Sequence, residues 1–156
     1  MSEFALIDRF FASLGARRDD VVLGVGDDAA LLAVPPGHEL VAAVDTVVAG
    51  RHFPDDTAAD DVGWRSLAVN LSDLAAMGAR PAWATLALTL PALDEDWLEG
   101  FAHGFGTLAA AHGVALVGGD TTRGPLTVSV QALGIAPAGT SCPMPAPTTS
   151  AGVRSR

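Results

Sequence analysis

The chain contains no lysine. Its nine cations are all arginine, set against fourteen aspartates and four glutamates, for a formal charge of −9 over 156 residues. Without lysine there is no Walker A loop, no kinase strand lysine, no Schiff base and no lysine general base. Without a basic excess, nucleic-acid and anionic-membrane binding are excluded as functions, because both need a cationic face. Cysteine is almost missing as well: Cys142 stands alone, so neither a disulfide framework nor a cysteine metal knot is expected. No apolar run reaches the roughly 18 residues of a membrane span. Ser2-Glu3-Phe4, with Asp8 and Arg9 close behind, does not read as a secretory leader. A cytoplasmic protein is expected. Apolar residues make up 49% of the chain and charged residues only 17%, a composition that folds, at a length suited to one ordinary domain.

Periodicity divides the chain into alternating elements. Residues 2–14 read as an amphipathic helix capped by Ser2, with Phe4, Ile7, Phe10, Phe11 and Leu14 at helical spacing and Gly15 ending it. Val21-Val22-Leu23 reads as a short buried strand running into Gly24-Val25-Gly26-Asp27-Asp28, and Pro35-Pro36-Gly37 as a turn. Leu40 to Val48 is a second strand, apolar except for Asp45 and Thr46. A helix opens at Asp60 or Asp61, places Trp64, Leu67, Ala68, Leu71 and Ala75 on one face, and stops at Met77-Gly78. Trp83 to Leu90 is a third strand. A helix opened by Pro91 and Asp94 turns Trp97, Phe101, Phe105 and Leu108 inward and closes at Gly113. Val114 to Val117 and Leu126 to Ile135 complete the strands. Strands and helices mix without strict alternation, which favours an α+β fold over a doubly wound sheet. From Pro137 onward the chain is rich in Pro, Ser and Thr and has no acid, so it reads as a disordered tail.

Five aspartates stand where carboxylates are unexpected. Asp55, Asp56, Asp60, Asp61, Asp94, Glu95, Asp96 and Glu99 fall in loops or first helical turns, where solvent and the helix dipole accommodate them. Asp27 and Asp28, by contrast, follow a strand directly, Asp45 interrupts an apolar strand, Asp73 sits in a nearly uncharged helix, and Asp120 ends an apolar strand after two glycines. Burying one such charge alone costs several kcal/mol. Arg51, Arg65, Arg80 and Arg123 lie near them in sequence but are too few to neutralise five converging carboxylates. Hard carboxylate oxygens suit Mg²⁺, while the scatter of His38, His52, His103 and His112 and the lack of cysteine argue against zinc.

Two further segments carry chemistry. Gly118-Gly119-Asp120-Thr121-Thr122-Arg123-Gly124-Pro125 reads as a strand running into a tight polar turn, whose amides, hydroxyls and arginine suit a phosphate; a plain β-turn is the alternative. His52 closes a strand, an ordinary surface position unless a ligand meets it there. Gly24-Val25-Gly26-Asp27-Asp28-Ala29 also fits the looser dinucleotide fingerprint G-x-G-x-x-A, with Asp45 about 20 residues on. Two conflicts count against that reading: two aspartates would face the pyrophosphate, and Pro35-Pro36 arrives too early for a crossover helix.

Four segments together resemble the motifs of the thiamine-monophosphate kinase family. They are Gly24 to Leu32, Asp45 to Phe53, Ala68 to Ala79, and Gly118 to Leu126, in the family's order and spacing, within a likeness running from about Glu3 to about Gly139. The resemblance implies the superfamily of aminoimidazole ribonucleotide synthase and selenophosphate synthetase. It also implies an α+β N-terminal domain, with a mixed or antiparallel sheet flanked by helices, whose strands pair across a homodimer. The implied activity is ATP-dependent, Mg²⁺-assisted, in-line phosphorylation of thiamine phosphate to thiamine diphosphate. Residue by residue, it implies Asp28, Asp45, Asp73 and Asp120 as ligands of several Mg²⁺ ions, joined by Thr46, the backbone at Val44 and the adjacent Asp27. It implies Gly119 and Asp120 as ATP contacts and His52 as a thiamine phosphate contact. Ala43 departs from some relatives, which carry a hydroxyl there.

The resemblance stops at residue 139, where the family continues into a second α/β domain. Residues 1–139 are therefore expected to form the ATP- and Mg²⁺-binding domain. Residues 140–156 are expected to be an aberrant tail left by a reading-frame shift or truncation, with turnover impaired. A non-catalytic, dimerising metal-binding half and a sister ATP-dependent synthase remain as alternatives. Without Arg154 and Arg156, the first 139 residues carry 7 − 18 = −11 charges.

Overall fold

The structure is a computed structural model that describes residues 9–140. In chain order the elements are β1 (Val21–Leu23), β2 (Leu31–Leu32), β3 (His38–Val48), α1 (Ala59–Ala76), β4 (Arg80–Leu90), α2 (Glu95–Ala111), β5 (Ala115–Arg123) and β6 (Thr127–Pro137). Strands β3 to β6 form one mixed sheet in the order β3-β6-β4-β5, and β1 and β2 form a separate two-stranded ribbon. β6 runs antiparallel to both of its neighbours, β3 and β4, whereas β4 and β5 are parallel and joined by α2. This is the expected α+β architecture with a mixed sheet.

Both helices cover the same face of the sheet. Alternate residues of β4 (Ala84, Leu86, Leu88, Leu90) and of β6 (Val128, Val130) enter a core with Val62, Leu67 and Leu71 of α1 and Leu98, Phe101, Phe105 and Leu108 of α2. Period-two alternation puts the intervening residues on the opposite face. Among the described residues that face is covered at one end, where Val21, Ala30 and Leu32 pack on Trp83, Val117 and Ile135. Further along β3 it is open, and Leu40 and Val44 are 49% and 64% exposed.

α2 begins where its sequence says it should: the Asp94 side chain accepts from the Trp97 amide, satisfying one orphan N–H of the first turn. α1 has no such cap, only Asp60 and Asp61 in its first turn, and it ends in a left-handed Gly78. Its inner face differs from the expectation. Val62, Gly63, Ser66, Leu67, Asn70, Leu71 and Leu74 are buried, while Trp64 is half exposed and Ala75 faces solvent. The physical reason is the contact with α2. A methyl group on Gly63 would overlap the Phe101 carbonyl, and one on Gly104 would overlap the Asp60 carbonyl, so the helices meet backbone to backbone. Glycine makes that contact without any hydrophobic signal in the sequence.

Other expectations need correcting. β1 is largely exposed on its outward side, with Val22 63% accessible, because it lies on the surface of the sheet rather than within it. β2 has only two residues, too short for any periodicity to reveal. β5 does not turn at Gly118–Arg123 but carries those residues as strand, paired along β4 as far as Leu90↔Arg123; the bend follows at Gly124 and Pro125. Pro137 pairs with His38 at the end of β6, so the start of the expected tail is ordered sheet. Of the expected N-terminal helix, residues 2–8 lie outside the described residues; Arg9 and Phe10 are helical and residues 11–13 form a turn. Residues 141–156, most of the expected tail, also lie outside them.

Candidate metal and nucleotide site

Two groups of the expected acidic residues assemble, at different places. The first surrounds a cavity of about 260 Å³ between the β1–β2 loop and the edge strand β5. Val25, Gly26, Asp27 and Asp28 form one wall; Gly118, Gly119, Asp120 and Thr121 form the other; Phe11, Leu86 and Leu116 supply an apolar floor. Three carboxylates therefore look onto one space, and no cation is among the residues that line it. All three are exposed rather than buried, and that relieves the desolvation cost anticipated from their apolar sequence context. The Asp28 amide donates to Asp27 Oδ1 at 2.8 Å, which tightens the loop around its two acids.

Gly119 has a structural reason to be glycine. A Cβ at this position would overlap the Leu86 carbonyl of β4, so the strands can pair here only because the side chain is missing. At Gly118, by contrast, a Cβ would meet nothing within 4 Å, so the backbone there stands open beside the cavity, as close approach by a ligand requires.

The second group is a pair. Asp45 lies on the helix-facing side of β3, in the row of Val41, Ala43 and Val47, and meets Asp73 of α1. Burial raises the Asp45 pKa above the ordinary carboxylate value, and the charge and hydrogen bond of Asp73 push it further in the same direction. A cation between them would reverse that repulsion. Ala43, on the same side of β3, packs in an apolar cluster with Leu74, Ala79 and Ala132.

The remaining expected residues stand elsewhere. Thr46 and Val44 point to the open face; the Thr46 hydroxyl lies 2.7 Å from Ser129 Oγ across the β3–β6 pair, away from the Asp45 carboxyl. His52 is exposed, and its Nδ1 accepts from the Val48 amide at 3.0 Å, which leaves Nε2 to carry the ring proton and face outward. It does not line the cavity. Among the described residues, no three His, Cys, Asp or Glu side chains stand close enough together to hold a metal ion. Nor do Arg51, Arg65, Arg80 or Arg123 form an ion pair there; the two bridges are Arg9–Glu95 and Arg18–Asp20. Among the described residues, the acids are thus left without an ion-pair partner. Sequence reasoning missed Phe11, Leu86 and Leu116, whose apolar character signals only core. No described helix is long and apolar enough to cross a membrane.

With this geometry in hand, comparison with known proteins is decisive at the level of family. The profile of the AIR synthase related protein, N-terminal domain, matches residues 26–136. The chain belongs to that family. The match begins within the β1–β2 loop, at Gly26, and runs through both helices and the four strands of the main sheet to Ala136 of β6. Among curated proteins, it is 52% identical over 137 residues to the thiamine-monophosphate kinase of Salmonella typhimurium, covering 88% of this chain and 42% of that one. Among solved structures, it matches the thiamine-monophosphate kinase from Stenotrophomonas maltophilia K279a with a TM-score of 0.78 and 55% identity, over 90% of this chain and 44% of that one. It also matches AaThiL complexed with AMPPCP and TMP, with a TM-score of 0.64 and 28% identity, over 67% and 35% of the two chains. The chain spans 42% of the length of that curated relative.

Proposed function

We propose that this member of the family is the metal- and nucleotide-handling portion of a thiamine-monophosphate kinase, which transfers the γ-phosphoryl group of ATP to thiamine phosphate and yields thiamine diphosphate. The observation that carries the reading is the cavity between the β1–β2 loop and β5, rimmed by Asp27, Asp28 and Asp120 and lined by no cation. A polyphosphate brought there meets only negative charge from side chains, so its binding depends on divalent cations. The names of the relatives and the nucleotide-analogue complex of AaThiL support the same chemistry.

In this reading carboxylates among Asp27, Asp28 and Asp120 would hold Mg²⁺ together with phosphate oxygens of the substrate, and Asp45 with Asp73 would offer a separate carboxylate pair. Mg²⁺, once bound, supplies the charge neutralisation that lets two anionic phosphates approach. The Gly118-Gly119 backbone lets the nucleotide lie close to β5, while Leu86, Leu116 and Phe11 offer an apolar surface to its base. His52, with Nδ1 engaged by Val48, presents Nε2–H as a hydrogen-bond donor to the phosphate of thiamine phosphate. The acceptor oxygen is ionised at neutral pH, so no general base is assigned. The open sheet face around Leu40 and Val44 is proposed to close against a second copy, and the protein to work in the cytoplasm.

The 156-residue chain is expected to bind Mg²⁺–ATP but to show little or no turnover alone, because it spans only 42% of a curated relative. A coupled ADP-release assay with thiamine phosphate tests this, and robust substrate-dependent turnover by this chain would contradict the division of labour. ATP binding that thiamine phosphate leaves unchanged would favour a sister synthase instead.

A further inference from the structure

The β1–β2 ribbon that carries Asp27 and Asp28 is held by very little of its own. It has two register pairs, Val21↔Leu32 and Leu23↔Leu31, and Val22 and Leu31 are 63% and 58% exposed. A two-stranded ribbon of this size is not stable by itself. A charged cluster ties it to the sheet. Arg18 Nε and Nη2 grip the two oxygens of the Asp20 carboxylate, at 2.8 and 2.5 Å, and Nη1 donates to the Gly113 carbonyl just beyond α2, at 2.9 Å. The indole Nε1 of Trp83 donates to Asp20 Oδ1 at 3.0 Å, and the guanidinium lies 5.5 Å from the Trp83 ring centroid. Trp83 is fully buried on β4, and the Arg18 and Asp20 side chains are only 16% and 23% exposed. The Asp20 carbonyl accepts from the Ala33 amide at 2.8 Å, so one residue fastens both the outgoing and the returning strand.

We propose that Arg18, Asp20 and Trp83 form a latch that positions the acidic loop Gly24–Ala30 over the cavity. Bidentate pairing fixes direction as well as distance, and the partly buried setting makes the contact stronger than a surface ion pair. Arg18 is therefore a positioning residue, acting on the site through Asp20 and the ribbon. The latch stands on contacts independent of the nucleotide reading; only the affinity arm of its test rests on that reading.

Hydrogen–deuterium exchange by mass spectrometry on the 156-residue chain tests it, paired with titration of Mg²⁺–ATP. Arg18→Ala should speed amide exchange in the β1–β2 ribbon and at Ala33, whose amide is held by the Asp20 carbonyl, by about tenfold or more, the scale of a lost charged hydrogen bond. Exchange in β4 and β6 should stay unchanged, and Mg²⁺–ATP affinity should fall by a similar factor. Arg18→Lys should recover part of the effect, since an ammonium cannot span both carboxylate oxygens and the Gly113 carbonyl. Unaltered ribbon exchange in Arg18→Ala, or an equal rise throughout β4 and β6, would overturn the latch. So would faster ribbon exchange with affinity retained. If Arg18→Ala does not fold, Trp83→Phe puts a smaller apolar ring in the same place and removes one donor; a smaller rise confined to the ribbon supports the latch, and a flat profile overturns it. If the parent chain fails to bind Mg²⁺–ATP, the nucleotide reading falls and the exchange profile alone decides the latch.

Discussion

Asp120 illustrates how a single side chain can be read in sequence and still need the fold to give it partners. Its place after two glycines at the end of an apolar run marks it as unusual; only the sheet order shows that it faces Asp27 and Asp28 across one cavity. Replacing it by Asn keeps the shape and removes one charge from a rim that has no cation to offset it. Asp120→Asn is expected to weaken Mg²⁺–ATP binding by about tenfold or more, on the scale of one lost charge-assisted contact, with binding calorimetry as the check. Asp45 makes an opposite kind of prediction. Its folded-state pKa is raised, chiefly by burial and then by Asp73, so the folded chain holds that proton more tightly than the unfolded one. Stability from this residue is therefore full below the ordinary carboxyl range and is lost as pH rises through the raised pKa. Asp45→Asn should raise the melting temperature at pH 7 and lose that advantage near pH 3.5. Added Mg²⁺ should stabilise the parent chain more than this variant.

At the scale of elements, legibility tracked how much of each one's identity lies in its own residues. α2 was plain because Asp94 caps it and Phe101, Phe105 and Leu108 share a face. For α1 the apolar pattern marks the helix but not its inner face, since its tightest contact is glycine against backbone, which no hydrophobic pattern records. The apolar pattern of β5 ends before the strand does, because Gly118-Gly119-Asp120-Thr121-Thr122-Arg123 is polar on both sides; as an edge strand beside a cavity, it has no need to be otherwise. The acids of the site were visible as anomalies, but the apolar floor of Leu86 and Leu116 was not, being indistinguishable from core. These contacts have measurable consequences. Gly104→Ala forces a methyl into the Asp60 carbonyl and should cost about 1–3 kcal/mol by separating the helices. Asp94→Ala removes the cap from the Trp97 amide and should cost about 1 kcal/mol. Chemical denaturation of each variant distinguishes a shifted midpoint from a changed slope.

At the scale of the whole molecule, the described residues form a sheet with helices on one side and a small ribbon covering part of the other. Its residues 1–139 carry 7 − 18 = −11 charges, and the acids of the cavity rim have no protein cation to pair with among the described residues. Such a surplus fits a protein that handles phosphates through metal ions rather than through lysines. The exposed row of β3 around Leu40 and Val44 is where a second copy is proposed to dock, so Leu40→Arg should shift the chain toward monomer in sedimentation experiments. The central claim is that divalent metal and nucleotide bind together at the cavity between the β1–β2 loop and β5. Calorimetric titration of ATP into this chain, with Mg²⁺ and again with EDTA, tests it most directly. The account predicts binding with Mg²⁺, none with EDTA, and a loss of about tenfold in Asp120→Asn. Equal ATP affinity with and without Mg²⁺, or no binding under either condition, would contradict it.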